Sequence, residues 1–262
     1  MTTRRHFTTI MAAGVASLTL AGRALADTLD DITKSGVLRV AVPQDLPPWG
    51  FVGPDMNLQG YDIDMAKLIA AKMGVKLQMT PVTSENRIPY LQTGKVDLII
   101  SSLGKNPARA KVIDFSDKYA PFFSGVFGPA TIDVKTAADL AGKSIAVTRG
   151  NIEDIALSKL APPSAQIMRY GDNQSTISAF ISGQTQLICT DSSTTATIMA
   201  QNPPRAPLLK FILQSSPCYV GVNKNQPALL AKVNAIIAAA KADGTLNKYC
   251  ETWLKQPLPA DF

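Results

Sequence analysis

The feature that most constrains the fold of this chain is a regular alternation of strand-like and helix-like segments. Strands joined through helices need crossover connections, and such connections build largely parallel sheets with helices on their faces. The run Val37-Leu38-Arg39-Val40-Ala41-Val42 reads as a strand with a turn signal behind it. Residues 61–73 read as a helix, because Ile63, Leu68, Ile69 and Met73 recur at helical spacing and Gly74 follows. Residues 75–82 alternate like a strand, 86–92 form a short helix stopped by Gly94, and 96–100 form a buried strand. Asn106-Pro107 opens the next helix, where proline suits the first helical position. Near the end, a strand at 219–222 precedes helices at 227–240 and 244–254, with Val233, Ile236 and Ile237 on a packing face.

The middle of the chain echoes its beginning. Gly142-Lys143-Ser144-Ile145-Ala146-Val147 resembles Gly36-Val37-Leu38-Arg39-Val40-Ala41. The run Phe180 to Ile188 resembles the run Tyr90 to Leu98. This faint repeat predicts two lobes of like design. The proline-rich stretch at 202–207 reads as a surface loop. Apolar residues make up 46% and charged residues 18%, enough for a real core. Past the N-terminus no run reaches the roughly 18 apolar residues that a membrane span needs.

The first 26 residues read as an export signal: Arg4 and Arg5, a weakly apolar stretch to Ala21, and the small-x-small site Ala24-Leu25-Ala26. Thr3-Arg4-Arg5-His6-Phe7 and Arg23 favour a twin-arginine signal, with a general secretory signal as the alternative. Removing the segment takes Arg4, Arg5 and Arg23 and leaves 23 basic against 20 acidic residues, so the net charge falls from +6 to +3. With no Lys/Arg tract and no aromatic interleaving, nucleic acid is not an expected partner. His6 is the chain's one histidine. The exported part therefore lacks Ser-His-Asp and Cys-His catalysis and every histidine-based metal site. Cys189, Cys218 and Cys250 match no zinc or redox spacing. In an oxidising compartment an odd count suggests one disulfide and one spare thiol. Cys189 lies in the apolar run Leu187-Ile188-Cys189, comfortable for a free buried thiol, which favours Cys218–Cys250 while leaving other pairings open.

Three turns carry chemistry. In Ser101-Ser102-Leu103-Gly104-Lys105-Asn106-Pro107-Ala108-Arg109 a strand ends and a helix begins. Such a turn offers hydroxyls, unpaired amides and a partial positive charge to an anion, and Arg109 can add a two-pronged grip on a carboxylate. Asp191 closes a buried-type strand and precedes Ser192-Ser193-Thr194-Thr195, so it can cap a helix or meet a cation. Gly150-Asn151-Ile152-Glu153-Asp154 is a further strand-to-helix turn with amides to offer. In Gly60-Tyr61-Asp62-Ile63-Asp64-Met65, Asp62 or Asp64 is placed to cap a helix N-terminus. No further oxygen ligands follow at calcium-loop spacing.

The last string is also the signature of the bacterial extracellular solute-binding proteins that serve polar amino-acid transporters, and the chain resembles that family in several further places. Lys34 to Ala41 resembles its opening strand, and Gly94 to Ser102 with Arg109 resembles its binding segment. Asp114-Phe115-Ser116 with Tyr119 resembles the approach to its hinge, and Gly244-Thr245-Leu246 with Trp253 its final helix. The resemblance implies an α/β fold: a two-lobed, type II, Venus-flytrap binding protein with two hinge-crossing strands. It places the first lobe at 27–120 plus 217–262, the second at 125–212, and the hinge at 121–124 and 213–216. It implies that Arg109 holds a ligand α-carboxylate, that Asp191 meets its ammonium, and that Ser101, Ser102, Gly104, Asn151 and Ile152 line the site. The family often has a hydroxyl residue where Ile152 stands, so only a backbone contact is expected there.

Departures from the family bear on specificity. Leu46 and Ser84 stand where aromatic sandwich partners are common, though Trp49 and Phe51 are close by. Gly104 replaces a third hydroxyl. Asn86-Arg87-Ile88-Pro89 resembles acidic-amino-acid binders, in which the arginine meets a side-chain carboxylate. With Lys105 and Arg149 beside the anion-binding turns, a surplus of positive charge favours an acidic or otherwise polar ligand. The implied function is periplasmic capture of an amino acid and its delivery to an ABC permease that has a separate ATPase. The chain is expected to act as a monomer, with no cofactor, metal or catalytic residue. The rival is a dehydratase-like enzyme on the same fold, and a sensory ligand domain is a third reading.

Overall fold

The computed structural model, which describes residues 27–262, contains two five-stranded sheets and a small three-stranded one. The strands of the first part are β1 (Val37–Val42), β2 (Asp45–Leu46), β3 (Gly50–Val52), β4 (Leu58–Gln59), β5 (Lys76–Pro81), β6 (Leu98–Ile99) and β7 (Ile113–Ala120). Those of the middle are β8 (Phe123–Gly128), β9 (Ser144–Thr148), β10 (Gln166–Tyr170), β11 (Leu187–Asp191) and β12 (Leu208–Ser215), and β13 (Cys218–Asn223) follows. One sheet has the order β5-β1-β6-β13-β7 and the other β10-β9-β11-β8-β12, while β2, β3 and β4 form a small antiparallel ribbon.

The two sheets repeat one design. In each, three strands run parallel (β5-β1-β6 and β10-β9-β11), and two antiparallel strands complete the edge. The faint sequence repeat thus marks equivalent strands, β1 with β9 and β6 with β11. The chain leaves the first sheet between Ala120 and Phe123 and returns between Ser215 and Cys218. Each crossing delivers a strand that pairs with the third parallel strand of the other sheet: β8 with β11, and β13 with β6. The export-signal reading concerns residues outside those described.

Helices cover both sheets: α1 (Thr28–Ser35), α2 (Tyr61–Met73), α3 (Arg87–Gln92), α4 (Pro107–Ala110), α5 (Ile152–Leu160), α6 (Asn173–Ile181), α7 (Ser192–Met199), α8 (Pro227–Ala242) and α9 (Thr245–Tyr249). Residues 250–254 continue α9 as a π-helical turn, so the expected single helix at 244–254 changes geometry midway. The main core lies under the first sheet, where Leu38, Val40, Ile63, Ile69, Leu98, Val220 and Val233 are buried together. Each such side chain contributes about 1.5–3 kcal/mol relative to exposure. The second sheet has its own smaller core around Val126, Leu140, Ile145, Val147, Leu157 and Leu187.

The N-terminus of α2 shows why its motif reads as it does. Gly60 has φ 133°, and a Cβ there would stand 2.4 Å from the Trp49 carbonyl oxygen, so only glycine fits. Asp62 does not cap the helix as expected. It turns into the core, fully buried, where the Ser102 amide donates to it at 2.7 Å and the Tyr119 hydroxyl at 2.5 Å. Asp64 instead accepts from Trp253 Nε1 at 2.9 Å and ties α2 to the last helical turn. The Cys218–Cys250 disulfide is absent: all three cysteines are free, buried thiols. The Cys250 thiol is engaged elsewhere, 3.7 Å from the Tyr61 hydroxyl.

Candidate functional site

Three carboxyls and two guanidiniums lie buried where the two sheets face each other. Asp62, Arg87 and Arg109 come from the first-sheet side, Glu153 and Asp191 from the second, and each is at most 6% exposed. Unpaired charges at such depth are costly, so a cluster of this kind needs internal partners or a ligand.

Arg109 sits in the first turn of α4, whose N-terminus is fixed by Asn106: its Oδ1 accepts from the Arg109 amide at 2.9 Å. The guanidinium donates to the Gly104 carbonyl at 2.6 Å and, across to the second sheet's side, to the Gly150 carbonyl at 2.8 Å. Burial and the neighbouring Arg87 charge lower its pKa to about 9, so it stays cationic at neutral pH. Arg87, at the start of α3, is fully enclosed and not solvated. It donates through Nη1 to the Ser101 carbonyl, while its Nε has no partner among the described residues. Burial lowers its pKa, and the Glu153 and Asp62 charges oppose that.

Asp191 is the last residue of β11 and the N-cap of α7, so the helix-cap reading holds. Oδ1 accepts from the Ser193 and Thr194 amides at 3.0 Å each and from Trp49 Nε1 at 3.1 Å. Oδ2 is buried with no partner among the described residues. Burial raises the Asp191 pKa against those hydrogen bonds. Ser102 adopts φ 41°, a left-handed backbone rare for a non-glycine residue, held by its amide's bond to Asp62. Asp62 thereby holds the turn that follows β6 in place. Burial lifts its pKa to about 7.

Other expected site residues have different duties. Trp49 is wholly buried against Tyr61 and Phe122, at ring-centroid distances of 5.6 and 5.3 Å, and offers no stacking face; it orients Asp191 instead. Leu46 is a core residue. Ile152 packs into the first sheet's core cluster although it starts α5 on the second side. Gly104 lies against it, and a Cβ there would stand 3.1 Å from Ile152 Cγ1 and 2.9 Å from Ser216 Oγ. Asn151 accepts from the Ser84 hydroxyl, so the position lacking an aromatic serves as a contact between the two halves. Lys105 and Arg149 are exposed, and Lys105 rests near the Phe115 and Tyr219 rings. The expected positive surplus is therefore not inside the site.

Sequence reading missed Glu153 as a site residue. It is the second residue of α5, where an acid usually complements the helix dipole in solvent, yet it is 2% exposed. Burial raises its pKa to about 7, with the Arg87 and Arg109 charges pulling the other way. Also missed were contacts away from the cluster: Asp45 accepts from the Asn173 amide at 2.8 Å and Asn173 Nδ2 at 3.0 Å, and Pro47 accepts from the Thr194 hydroxyl at 3.1 Å. Among the described residues no cluster of His, Cys, Asp and Glu is arranged to hold a metal ion.

Two like-built α/β lobes with a charged, enclosed site between them define a two-lobed binding protein. Residues 38–256 match the profile of the bacterial extracellular solute-binding proteins, family 3, and the chain belongs to that family. It is 28% identical over 264 residues to the glutamate/aspartate import solute-binding protein of Salmonella typhimurium, covering 95% of this chain and 86% of that one. It is 28% identical over 235 residues to the ABC transporter glutamine-binding protein GlnH of Bacillus subtilis, covering 88% and 85%. Its fold is similar to that of the ancestral amino acid-binding protein AncCDT-1, a precursor of cyclohexadienyl dehydratase, with a TM-score of 0.79 and 31% identity over 87% of this chain and 99% of that one.

Proposed function

We propose that this protein captures a free amino acid with a polar side chain outside the inner membrane and delivers it to an ABC-type permease. The carrying observation is a buried guanidinium and a buried carboxylate with one free oxygen at the boundary between the lobes. A buried Arg109 suits an α-carboxylate, and the unpartnered Oδ2 of Asp191 suits an α-ammonium. The hydroxyls of Ser101 and Ser102 complete the carboxylate end, and Arg87 and Glu153 remain for the ligand side chain. The first lobe, 27–120 plus 217–262, takes the ligand; the second, 125–212, closes over it through hinges at 121–124 and 213–216. Closure gives the permease a form it can tell from the open one. An export signal at 1–26, by the twin-arginine or the general route, places the protein in the periplasm.

The mechanism is binding, not turnover. The Arg109 guanidinium and the Asp191 carboxylate fix the two ends of the zwitterion, and burial strengthens both pairings by excluding water. Kinship with a dehydratase precursor leaves an enzymatic reading in view. Mass spectrometry of the bound amino acid after long incubation is expected to show it unchanged, and a product that requires intact protein favours the enzyme.

The test of binding is calorimetric titration of the purified protein with the common amino acids, on wild type and Arg109→Ala. Removing one partner of a desolvated ion pair costs about 3–5 kcal/mol. The variant is expected to keep its fold and lose detectable binding. An affinity within about threefold of wild type, a difference of under ~1 kcal/mol, overturns the assignment.

A further inference from the structure

We propose that the protein carries a second ligand site, a cavity beside the hinge that takes a small carboxylate with an apolar body, and that filling it favours the closed form. The effect on closure rests on the amino-acid-binding reading above; the site itself does not.

The cavity has a volume of about 380 Å³, a size that suits a small molecule, and it has three walls. Lys105 and Asn106 come from the first lobe, Ile155 and Lys159 from α5 of the second, and Leu213 and Gln214 from the end of β12, where the chain crosses back. None of Arg87, Arg109, Glu153 and Asp191 lines it, so it is distinct from the charged cluster described above. Lys105 and Lys159 are exposed, which leaves the cavity open to solvent at its rim.

The chemistry of the ligand follows from the unmet groups in these walls. Asn106 Nδ2 and Gln214 Nε2 are buried and have no hydrogen-bond partner among the described residues. Asn106 cannot turn its amide over to escape this. Its Oδ1 caps α4 by accepting from the Arg109 amide at 2.9 Å, which fixes the NH2 end. Lys105 and Lys159 add an ammonium from each lobe, and neither has an ion pair among the described residues. Lys105 Nζ stands 5.8 Å from the Phe115 ring centroid, near the outer limit of a cation–ring contact. No Asp or Glu lines the cavity. Two amide donors and two cations call for negatively charged acceptor oxygens. Ile155 and Leu213 add apolar surface, which a short aliphatic chain covers and a bare inorganic ion does not. Walls on both lobes meet only while the lobes are closed. A ligand that needs them all adds to the closed form, and by linkage the carboxylate and the amino acid strengthen each other's binding.

The experiment follows the side-chain NH2 signals of Asn106 and Gln214 by NMR. The probes are sodium butyrate, sodium hexanoate, inorganic phosphate and sodium chloride at constant ionic strength, on wild type, Asn106→Asp and Lys159→Glu. Butyrate and hexanoate are expected to move both wild-type signals saturably. Asn106→Asp keeps a capping oxygen but puts a negative charge in place of the donor, and Lys159→Glu reverses an exposed charge. Each should weaken hexanoate, read at Gln214, by about tenfold or more. Saturating hexanoate should raise amino-acid affinity by about fivefold or more in calorimetry, and Lys159→Glu should abolish that rise. The absence of a saturable shift in wild type overturns the site, as does hexanoate affinity within about twofold of wild type in Lys159→Glu. Should Asn106→Asp fail to fold, as shown by its melt, the exposed Lys159→Glu decides alone. Phosphate binding as tightly as hexanoate overturns the ligand class. An amino acid that displaces hexanoate shows one site instead of two, and an unchanged amino-acid affinity overturns the link to closure. If wild type binds hexanoate but no amino acid, the functional reading fails and the second site stands.

Discussion

Asp45 offers a way to change affinity without touching the ligand. It lies on β2 of the first-sheet side, yet its carboxylate accepts from the Asn173 amide at 2.8 Å, from Asn173 Nδ2 at 3.0 Å and, more weakly, from the Gln174 amide at 3.4 Å. These donors open α6 on the second-sheet side, so the carboxylate meets the positive end of a helix across the boundary between lobes. A hydrogen bond to a charged group contributes about 1.5–3 kcal/mol, and a helix terminus adds about 0.3–1 kcal/mol. Asp45 is half-buried, and when the lobes part, water replaces each of these bonds. A net loss of about 2 kcal/mol from the closed form is therefore the reasonable figure for Asp45→Ala. At about 1.4 kcal/mol per decade, affinity should fall roughly 30-fold. The order of preference among amino acids should not change, because Asp45 lies outside the charged cluster. Calorimetry gives the affinities, and small-angle scattering gives the fraction closed at saturating ligand. An affinity within twofold of wild type, or a changed order of preference, refutes the latch.

Acid should stabilise the ligand-free protein, since burial raises Asp62 and Glu153 to about 7 and Asp191 upward as well. Unfolded carboxyls titrate near ~4, so between about pH 4 and 7 the native state binds more protons than the unfolded one, and stability falls as pH rises through that window. Melting should occur at a higher temperature at about pH 5 than at about pH 8, and Asp62→Asn should flatten the slope; a steady rise from acid to base contradicts it. The cysteines supply a covalent check: intact mass should equal that of the fully reduced chain, and a thiol reagent should reach Cys189, Cys218 and Cys250 only after unfolding. A mass two hydrogens lighter restores the Cys218–Cys250 bond.

Much of the scaffold was legible because its signals are local. The helix expected at 61–73 is Tyr61–Met73, and the strand read at Val37–Val42 stands as read, since periodicity, Gly60 and Gly74 bound them without help from distant parts. The strand-to-helix turns that carry Arg109 and Asp191 were legible for the same reason, since each stands where a strand gives way to a helix. The misreadings share a cause of another kind. Asp62 looks like a cap by position, but its side chain is claimed by Ser102 and Tyr119, 40 and 57 residues away. Trp49 looks like a stacking face by its nearness to Leu46, but Tyr61 and Phe122 enclose it. Glu153 is the hardest case, since an acid in a first helical turn is ordinary. Only the approach of Arg87 and Arg109 from the opposite lobe makes it part of a site.

On the proposed binding role, the repeat lets one design serve both ends of a zwitterion. If β6 and β11 are laid over each other as the sequence echo directs, Tyr90 falls on Phe180 and Leu98 on Ile188, so Ser101 falls on Asp191 and Ser102 on Ser192. Both points lie at or just past the carboxyl end of the third parallel strand, where open α/β sheets present their ligands. At this shared point the first lobe carries a neutral serine, in a turn backed by Arg109. The second carries a carboxylate, whose Oδ1 is spent on its own helix and whose Oδ2 is free. The same backbone corner is thus tuned by one side chain to opposite charge. Neither corner alone reads a whole amino acid, because an anion site without its cation partner accepts many carboxylates. Specificity for the zwitterion then requires both lobes at once, and that requirement couples recognition to closure.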